Sequence, residues 1–177
     1  VGSLPDMLTF SPNGKTVLVA NEAEPNDDYS IDPEGSVSII DIQDIKQPKA
    51  SIADFRAWNS QKADLMAKGV RIFGPNATVA QDLEPEYITI SGDSKTAWVT
   101  LQENNAIARI DIAQQKVTDI YPLGYKDHGV MGNELDVSDR DSKIDIKTWT
   151  GLVGMYQPDS IANYQVNGQT YLVTANE

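Results

Sequence analysis

Apolar and polar positions alternate in three stretches spread along the chain. They are LPDMLTFSPNGKTVLVANE (4–22), EPEYITISGDSKTAWVTLQE (84–103) and QPDSIANYQVNGQTYLVTANE (157–177). A period of two sends successive side chains to opposite faces, as a half-buried strand requires. The runs are rich in Val, Ile, Leu, Thr and aromatic residues, which suit a pleated, half-buried surface. Each stretch opens on a proline followed by Asp or Glu, at Pro5, Pro85 and Pro158. Each closes on an amide and a glutamate: Asn21-Glu22, Gln102-Glu103 and Asn176-Glu177. Between the two runs of the first and third copies stands Asn-Gly, which tolerates positive φ and predicts a two-residue hairpin. SGDS is the polar equivalent in the second copy.

The first two copies continue alike. GSVSIIDI (35–42) and NAIARIDI (105–112) predict third strands, and KASIADFRAW (49–58) and KVTDIYPLG (116–124) predict fourth strands. Four antiparallel strands repeated in this way describe one blade of a β-propeller. The alternative, a β-sandwich of hairpins, does not require aligned copies. The expected fold is therefore mainly all-β: a partial β-propeller with four-stranded antiparallel blades and one short helix in an insertion. Blade one is 4–58, an insertion covers 59–83, blade two is 84–124, a second insertion covers 125–156, and blade three starts at 157–177. Closure takes at least about four blades. The chain therefore reads as a fragment of a longer protein, or as one that completes its sheets with another copy.

The long connections all fall between strands two and three or between blades, at 21–35, 59–83 and 125–156, so they emerge on one face. Long loops on one face of a rigid scaffold mark its binding side. SQKADLMAKGV predicts the helix, with Ser60 as N-cap and Gly69 as C-cap, and RIFGPNATVAQDLEP is expected as an ordered loop. The insertion 125–156 holds six acids, four bases and the lone histidine, His128. A packed aromatic (Trp149, Tyr156), a metal, or pairs such as Arg140 with Asp136 or Asp139 would have to hold it.

Charge sharpens this picture. The 177 residues carry a net charge of −12, which disfavours nucleic acid and anionic membrane surfaces and favours cations and cationic partners. No cysteine is present, so thiolate zinc sites, cysteine nucleophiles and disulfides are excluded. No run of about 18 apolar residues occurs, so no membrane span is expected. Val1 reads as a processed or trimmed start, consistent with removal of an export signal.

Residues 21–35 hold Glu22, Glu24, Asp27, Asp28, Asp32 and Glu34 with no Lys or Arg. A second acidic run includes Asp136, Asp139 and Asp141. Calcium takes six to eight oxygens from such groups, and a divalent ion would relieve their mutual repulsion. These nine carboxylates are the candidate metal ligands, with Ca2+ the candidate cofactor. The competing reading is two solvated acidic loops. The second run is not an EF-hand, since its spacing is broken and Ser142 stands where that motif needs glycine. Glu22, Glu103 and Glu177 end equivalent strands and are expected near the central axis, as a ligand ring or as a repeated turn device.

The same stretches, with GVRIFGPNATVAQDLEPEYITIS, GNELDVSDRD and GMYQPDSIANYQVNGQTYLVTANE, resemble the choice-of-anchor I proteins over essentially the whole chain. These are bacterial secreted or surface proteins similar to a sea-urchin biomineralisation glycoprotein and related to YVTN-type surface-layer propellers. Some members carry alkaline-phosphatase or phytase labels. The resemblance implies a propeller that is extracellular, at the cell surface or periplasmic, and a longer parent chain. It implies no established reaction. An alkaline-phosphatase mechanism needs a serine after aspartate and several histidines. Asp159-Ser160 supplies the pair, but it aligns with Pro5-Asp6-Met7, so its aspartate belongs to the repeat. One histidine cannot hold a zinc pair, no G-x-S-x-G elbow accompanies His128, and nothing selects a paired-carboxylate glycosidase.

Two readings of function follow. The first is a non-catalytic surface propeller that binds calcium through acidic loops and an extracellular polymer or surface protein through the same face. The second is a calcium-dependent phosphoesterase that needs the remaining blades.

Overall fold

The computed structural model describes residues 1–177. Eight strands form two four-stranded antiparallel sheets. The first is β1 (Pro5–Phe10), β2 (Thr16–Asn21), β3 (Ser36–Asp41) and β4 (Lys49–Asp54). The second is β5 (Pro85–Ile90), β6 (Thr96–Leu101), β7 (Ala106–Asp111) and β8 (Lys116–Pro122). A two-residue pair, β9 (Lys126–Asp127) and β10 (Val153–Gly154), closes the base of the second insertion. A long hairpin, β11 (Pro158–Val166) and β12 (Gln169–Asn176), packs beside β5 and β6. The mainly β, four-stranded antiparallel design expected from the repeat is present.

Register explains the core. Leu18 pairs with Ile39, Ala20 with Val37, and Val37 in turn with Ala53, on one face of the first sheet. Ile88, Val99, Ala108 and Ile120 cross the second sheet in one row, and Ile90, Ala97 and Ile110 in the next. These residues belong to one buried cluster with Phe55, Leu65, Val79 and Leu83 from the insertion and its flanks. Asn163 ties the hairpin to the other face of the second sheet, donating to Thr89 Oγ1 (2.6 Å) and the Ile90 carbonyl (2.9 Å). At the two ends of the stack the outward faces are apolar. Leu8, Phe10 and Ile52 are exposed on one, and Tyr164, Val166, Tyr171 and Val173 on the other. Tyr164 and Tyr171 stack with ring centroids 5.3 Å apart.

Each opening proline is followed by a register shift: between Pro5 and Leu8, between Pro85 and Ile88, and between Pro158 and Ser160. A bulge leaves an extra residue unpaired and re-aims its side chain. The repeated acids Asp6, Glu86 and Asp159 occupy these bulges. In the second sheet the Thr100 hydroxyl accepts the Tyr87 N–H, freed by the bulge, at 2.9 Å.

Several local expectations are corrected. Asn13-Gly14 does not form a two-residue hairpin. The turn spans residues 11–15, because Ser11 Oγ donates to Asn13 Oδ1 (2.8 Å) while accepting from Thr16 N (3.0 Å). Ser91 and Asp93 repeat the arrangement (2.6 and 3.0 Å). Asn167-Gly168 does form the two-residue turn, with φ of 51° and 78°. Strand β4 ends at Asp54, and a 3-10 segment, Arg56–Gln61, leads into α1 (Lys62–Lys68). Ser60 therefore lies inside the 3-10 turn and is not a cap. Gly69, at φ 103°, does end α1, and its N–H reaches the Leu65 and Met66 carbonyls. The expected loop that follows contains a second helix, α2 (Val79–Asp82), started by a capping box between Thr78 and Gln81.

The insertion meets the first sheet at Gly35, whose N–H donates to the Ala80 carbonyl at 2.9 Å. A Cβ there would stand 1.9 Å from the Leu83 carbonyl oxygen and 2.8 Å from Pro85 Cδ. Gly35→Ala is expected to cost at least about 2 kcal/mol in urea unfolding. Gly92→Ala, with nothing within 4 Å of its Cβ, serves as the neutral control. Equal stability of the two variants would refute the close approach.

Candidate functional site

An acidic cavity of about 360 Å³ opens on the face that carries the long connections. Glu22, Glu24 and Asp27 enter it from the connection after β2, Glu84 and Glu86 from the start of β5, and Glu103 from the end of β6. Tyr29 and Phe73 complete the wall. Each acid is placed by local structure. Glu22 is fixed by its N–H on the Leu4 carbonyl (2.9 Å), and Glu84 by its N–H on Asn104 Oδ1 (3.1 Å). Glu86 sits in the bulge after Pro85.

Asn104 is fully buried and holds this corner together. Its amide nitrogen donates to the Asp82 carbonyl (2.7 Å), Asp82 Oδ1 (3.1 Å) and the Arg71 carbonyl (3.0 Å). The Asp82 carboxylate also receives the N–H groups of Phe73 and Gly74. The insertion, α2 and the floor of the cavity are thus joined through one amide and one acid. Asn105 does the same for the third repeat: its Oδ1 accepts the N–H groups of Tyr156 (2.9 Å) and Gln157 (3.2 Å).

The cavity's electrostatics follow from crowding. Burial, then the nearby charges of Glu103, Glu22, Asp82 and Glu24, push Glu84 up to about 8. Burial, then Glu22, Asp6, Asp159 and Glu103, push Glu86 up to about 8. Glu22 is raised by burial and by Glu24, Asp6 and Glu103. Asp82 is raised by burial, against the pull of its two backbone donors. The cation at the rim is Arg71, which bonds the Glu103 carboxylate at 2.9 Å and its carbonyl at 3.0 Å, 3.7 Å above the Phe73 ring centroid.

The nine candidate ligands do not form one group. Glu22, Glu24 and Asp27 share the cavity. Asp28 turns back on its own loop, accepting from Ser30 N (3.0 Å) and Ser30 Oγ (2.6 Å). Asp32 and Glu34 line a separate depression, where Glu34 pairs with Arg56. Asp136 caps turns, accepting from Ser138 N (3.2 Å) and Asp145 N (2.9 Å). Asp141 lies 3.8 Å from Lys143 Nζ, and Asp139 is almost fully exposed beside Arg140. No three His, Asp or Glu side chains already converge as ligands of one ion. Of the glutamates expected near the axis, Glu22 and Glu103 meet in the cavity, while Glu177 accepts from Gln102 Nε2 at 2.7 Å.

The second insertion is held by backbone pairing of Leu135 with Lys147 and by Trp149. Trp149 donates its indole N–H to the Leu135 carbonyl (2.9 Å) and lies under Lys147. His128 Nδ1 lies 2.7 Å from the Asn133 carbonyl and serves this loop. The sequence reading overlooked Glu84, Glu86, Arg71 and Asn104. The signal for Glu86 was present in the repeat itself, as the acid after each proline.

Comparison with known proteins adds the family. No curated protein matches the chain. Among solved structures, Kuenenia stuttgartiensis hydrazine synthase is similar at 15% identity and a TM-score of 0.40, over 98% of this chain and 46% of that one. This chain thus spans under half the length of that relative, and a likeness so slight supports no further conclusion. The profile of the Choice-of-anchor I domain matches residues 1–177, the entire sequence, and the chain belongs to that family.

Proposed function

We propose that this chain is a propeller-type binding module that takes calcium through its acidic face and presents that face to an extracellular polymer or surface protein. The family is one of cell-surface-associated domains, and no helix is long and apolar enough to cross a membrane. The observation that carries the cation reading is the cavity itself: six carboxylates share it, and the nearest guanidinium is committed to one of them. The apolar end faces support the accompanying reading that further blades of a longer chain, or a second copy, cover them. Hydrolysis of a phosphate ester would call for free basic groups to hold the phosphate. Arg71 is engaged by Glu103 and Phe73, so no observation favours that reading.

Thermal unfolding tests the proposal. Protein stripped with EDTA is expected to unfold at a higher temperature when millimolar calcium is added, because an ion that binds only the folded state stabilises it by mass action. Sodium chloride at matched ionic strength is expected not to reproduce the rise. An unchanged midpoint with calcium would overturn the cation reading.

A further inference from the structure

Glu84 differs from the other acids of the face. It is 5% exposed, yet its carboxylate opens into the cavity and makes no hydrogen bond or ion pair. A carboxyl group this buried is held in its charged form only by a partner or a metal, and this one has no protein partner. Glu22 and Glu86, beside it, are equally free of hydrogen bonds and ion pairs, whereas Glu103 is held by Arg71. In the second insertion, Asp136 is engaged by turn N–H groups and Asp141 and Asp145 by lysines, while Asp139 lies almost fully in solvent.

We propose that the calcium site is this cavity, with Glu84 at its floor and Glu22 and Glu86 on its walls as ligands, and with Arg71 keeping Glu103 out of the ligand set. This rests on the cation reading above and assigns it to residues that the acidic loops alone would not have suggested. The three carboxylates have no bonds to break before turning toward a shared ion. Three carboxylates give up to six oxygens, and the cavity leaves room for waters to complete a shell of six to eight. The site is wide, at about 360 Å³, and the mixed shell of carboxylates and waters suits calcium better than magnesium, whose small octahedral shell demands near-ideal geometry.

Calorimetric titration with calcium chloride at pH 8 tests the assignment on the full 177-residue chain. Glu84→Gln and Glu86→Gln are each expected to weaken calcium binding by at least about tenfold, since affinity follows the count of charged ligands. The triple variant Asp136→Asn, Asp139→Asn, Asp141→Asn is expected to bind as the parent does. Magnesium is expected to bind more weakly than calcium. Calcium binding that survives both glutamine variants but is lost in the triple variant would overturn this assignment and leave the cation reading standing. Absence of calcium binding in the parent would overturn both. Far-ultraviolet circular dichroism and a cooperative melt separate lost binding from lost folding, and two independent glutamine variants keep the test valid if one misfolds.

Discussion

Asn104→Ala is expected to destabilise the chain by roughly 3–5 kcal/mol, among the largest effects of a single polar substitution. The fully buried amide makes four contacts: three as donor, to the Arg71 and Asp82 carbonyls and the Asp82 carboxylate, and one as acceptor, from the Glu84 N–H. Alanine removes all of them and leaves the Asp82 carboxylate and the Glu84 N–H short of a partner in a site with little access to water. An unsatisfied buried group costs its full desolvation, about 1–3 kcal/mol each and more when charged. For a chain of this size the melting temperature should fall by on the order of 10 °C. Urea unfolding should show a lower midpoint with an unchanged slope. A loss below about 1 kcal/mol would show that water or local rearrangement replaces the amide. At the calcium site proposed above, the same variant should also weaken binding, because Asn104 fixes the backbone from which Glu84 enters the cavity.

The second large effect is on pH dependence. Without added cation, the chain is expected to grow more stable as pH falls from 8 to 5. Glu84 holds its proton up to about pH 8 in the folded state, against an ordinary glutamate value of 4.5. Between those values the folded chain binds more protons than the unfolded chain, so the free energy of unfolding falls as pH rises. The contribution is fully present below 4.5 and is lost as pH climbs through about 8. Glu86 acts in the same direction. Asp119 and Asp145 act oppositely, since hydrogen bonds hold them below the usual range: Thr118 and Arg109 for Asp119, Lys147 and Lys143 for Asp145. Their losses begin only below about pH 4, so melts between pH 5 and 8 report the carboxyls that burial raises, Glu84 and Glu86 together with Glu22 and Asp82, and the Glu84→Gln variant separates the share of Glu84. Glu84→Gln should raise the midpoint by several degrees at pH 8, change it little at pH 5, and flatten the profile between. At pH 8 the expected gain is on the order of a few kcal/mol. A midpoint that rises steadily with pH, or a glutamine variant less stable at pH 8, would show that the cavity does not penalise the ionised glutamate.

The repeat was legible because strand periodicity is local. Pro5, Pro85 and Pro158, with the alternating runs behind them, determine the paired strands of each hairpin without reference to distant contacts. What was not legible depended on register and on long-range partners. The side-chain direction of Glu86 turns on a bulge, and a one-residue change in pairing reverses a side chain's face. Glu84 became a floor residue only because Asn104, twenty positions later, fastens its backbone. The connection 21–35 looked like a single acidic unit, but Tyr29 at φ 55° and the Asn26–Ile31 turn divide it, sending Glu22, Glu24 and Asp27 one way and Asp32 and Glu34 another. The four-residue helix α2 escaped notice because Thr78 and Gln81 were read within a run dominated by Gly74 and Pro75.

The bulge after each opening proline also has an evolutionary consequence. A gene that lengthens by duplicating this unit duplicates the kink and its acid together, so each new copy arrives with a carboxylate already placed near those of the other copies. The charge of this cluster is then inherited by copy number and does not have to be reinvented position by position. Loss of one acid dilutes it by a single charge, whereas loss of a bulge turns the side chain to the other face and disturbs the strand as well. A lineage built on this unit can therefore adjust the acidity of this cluster by gaining or shedding whole copies.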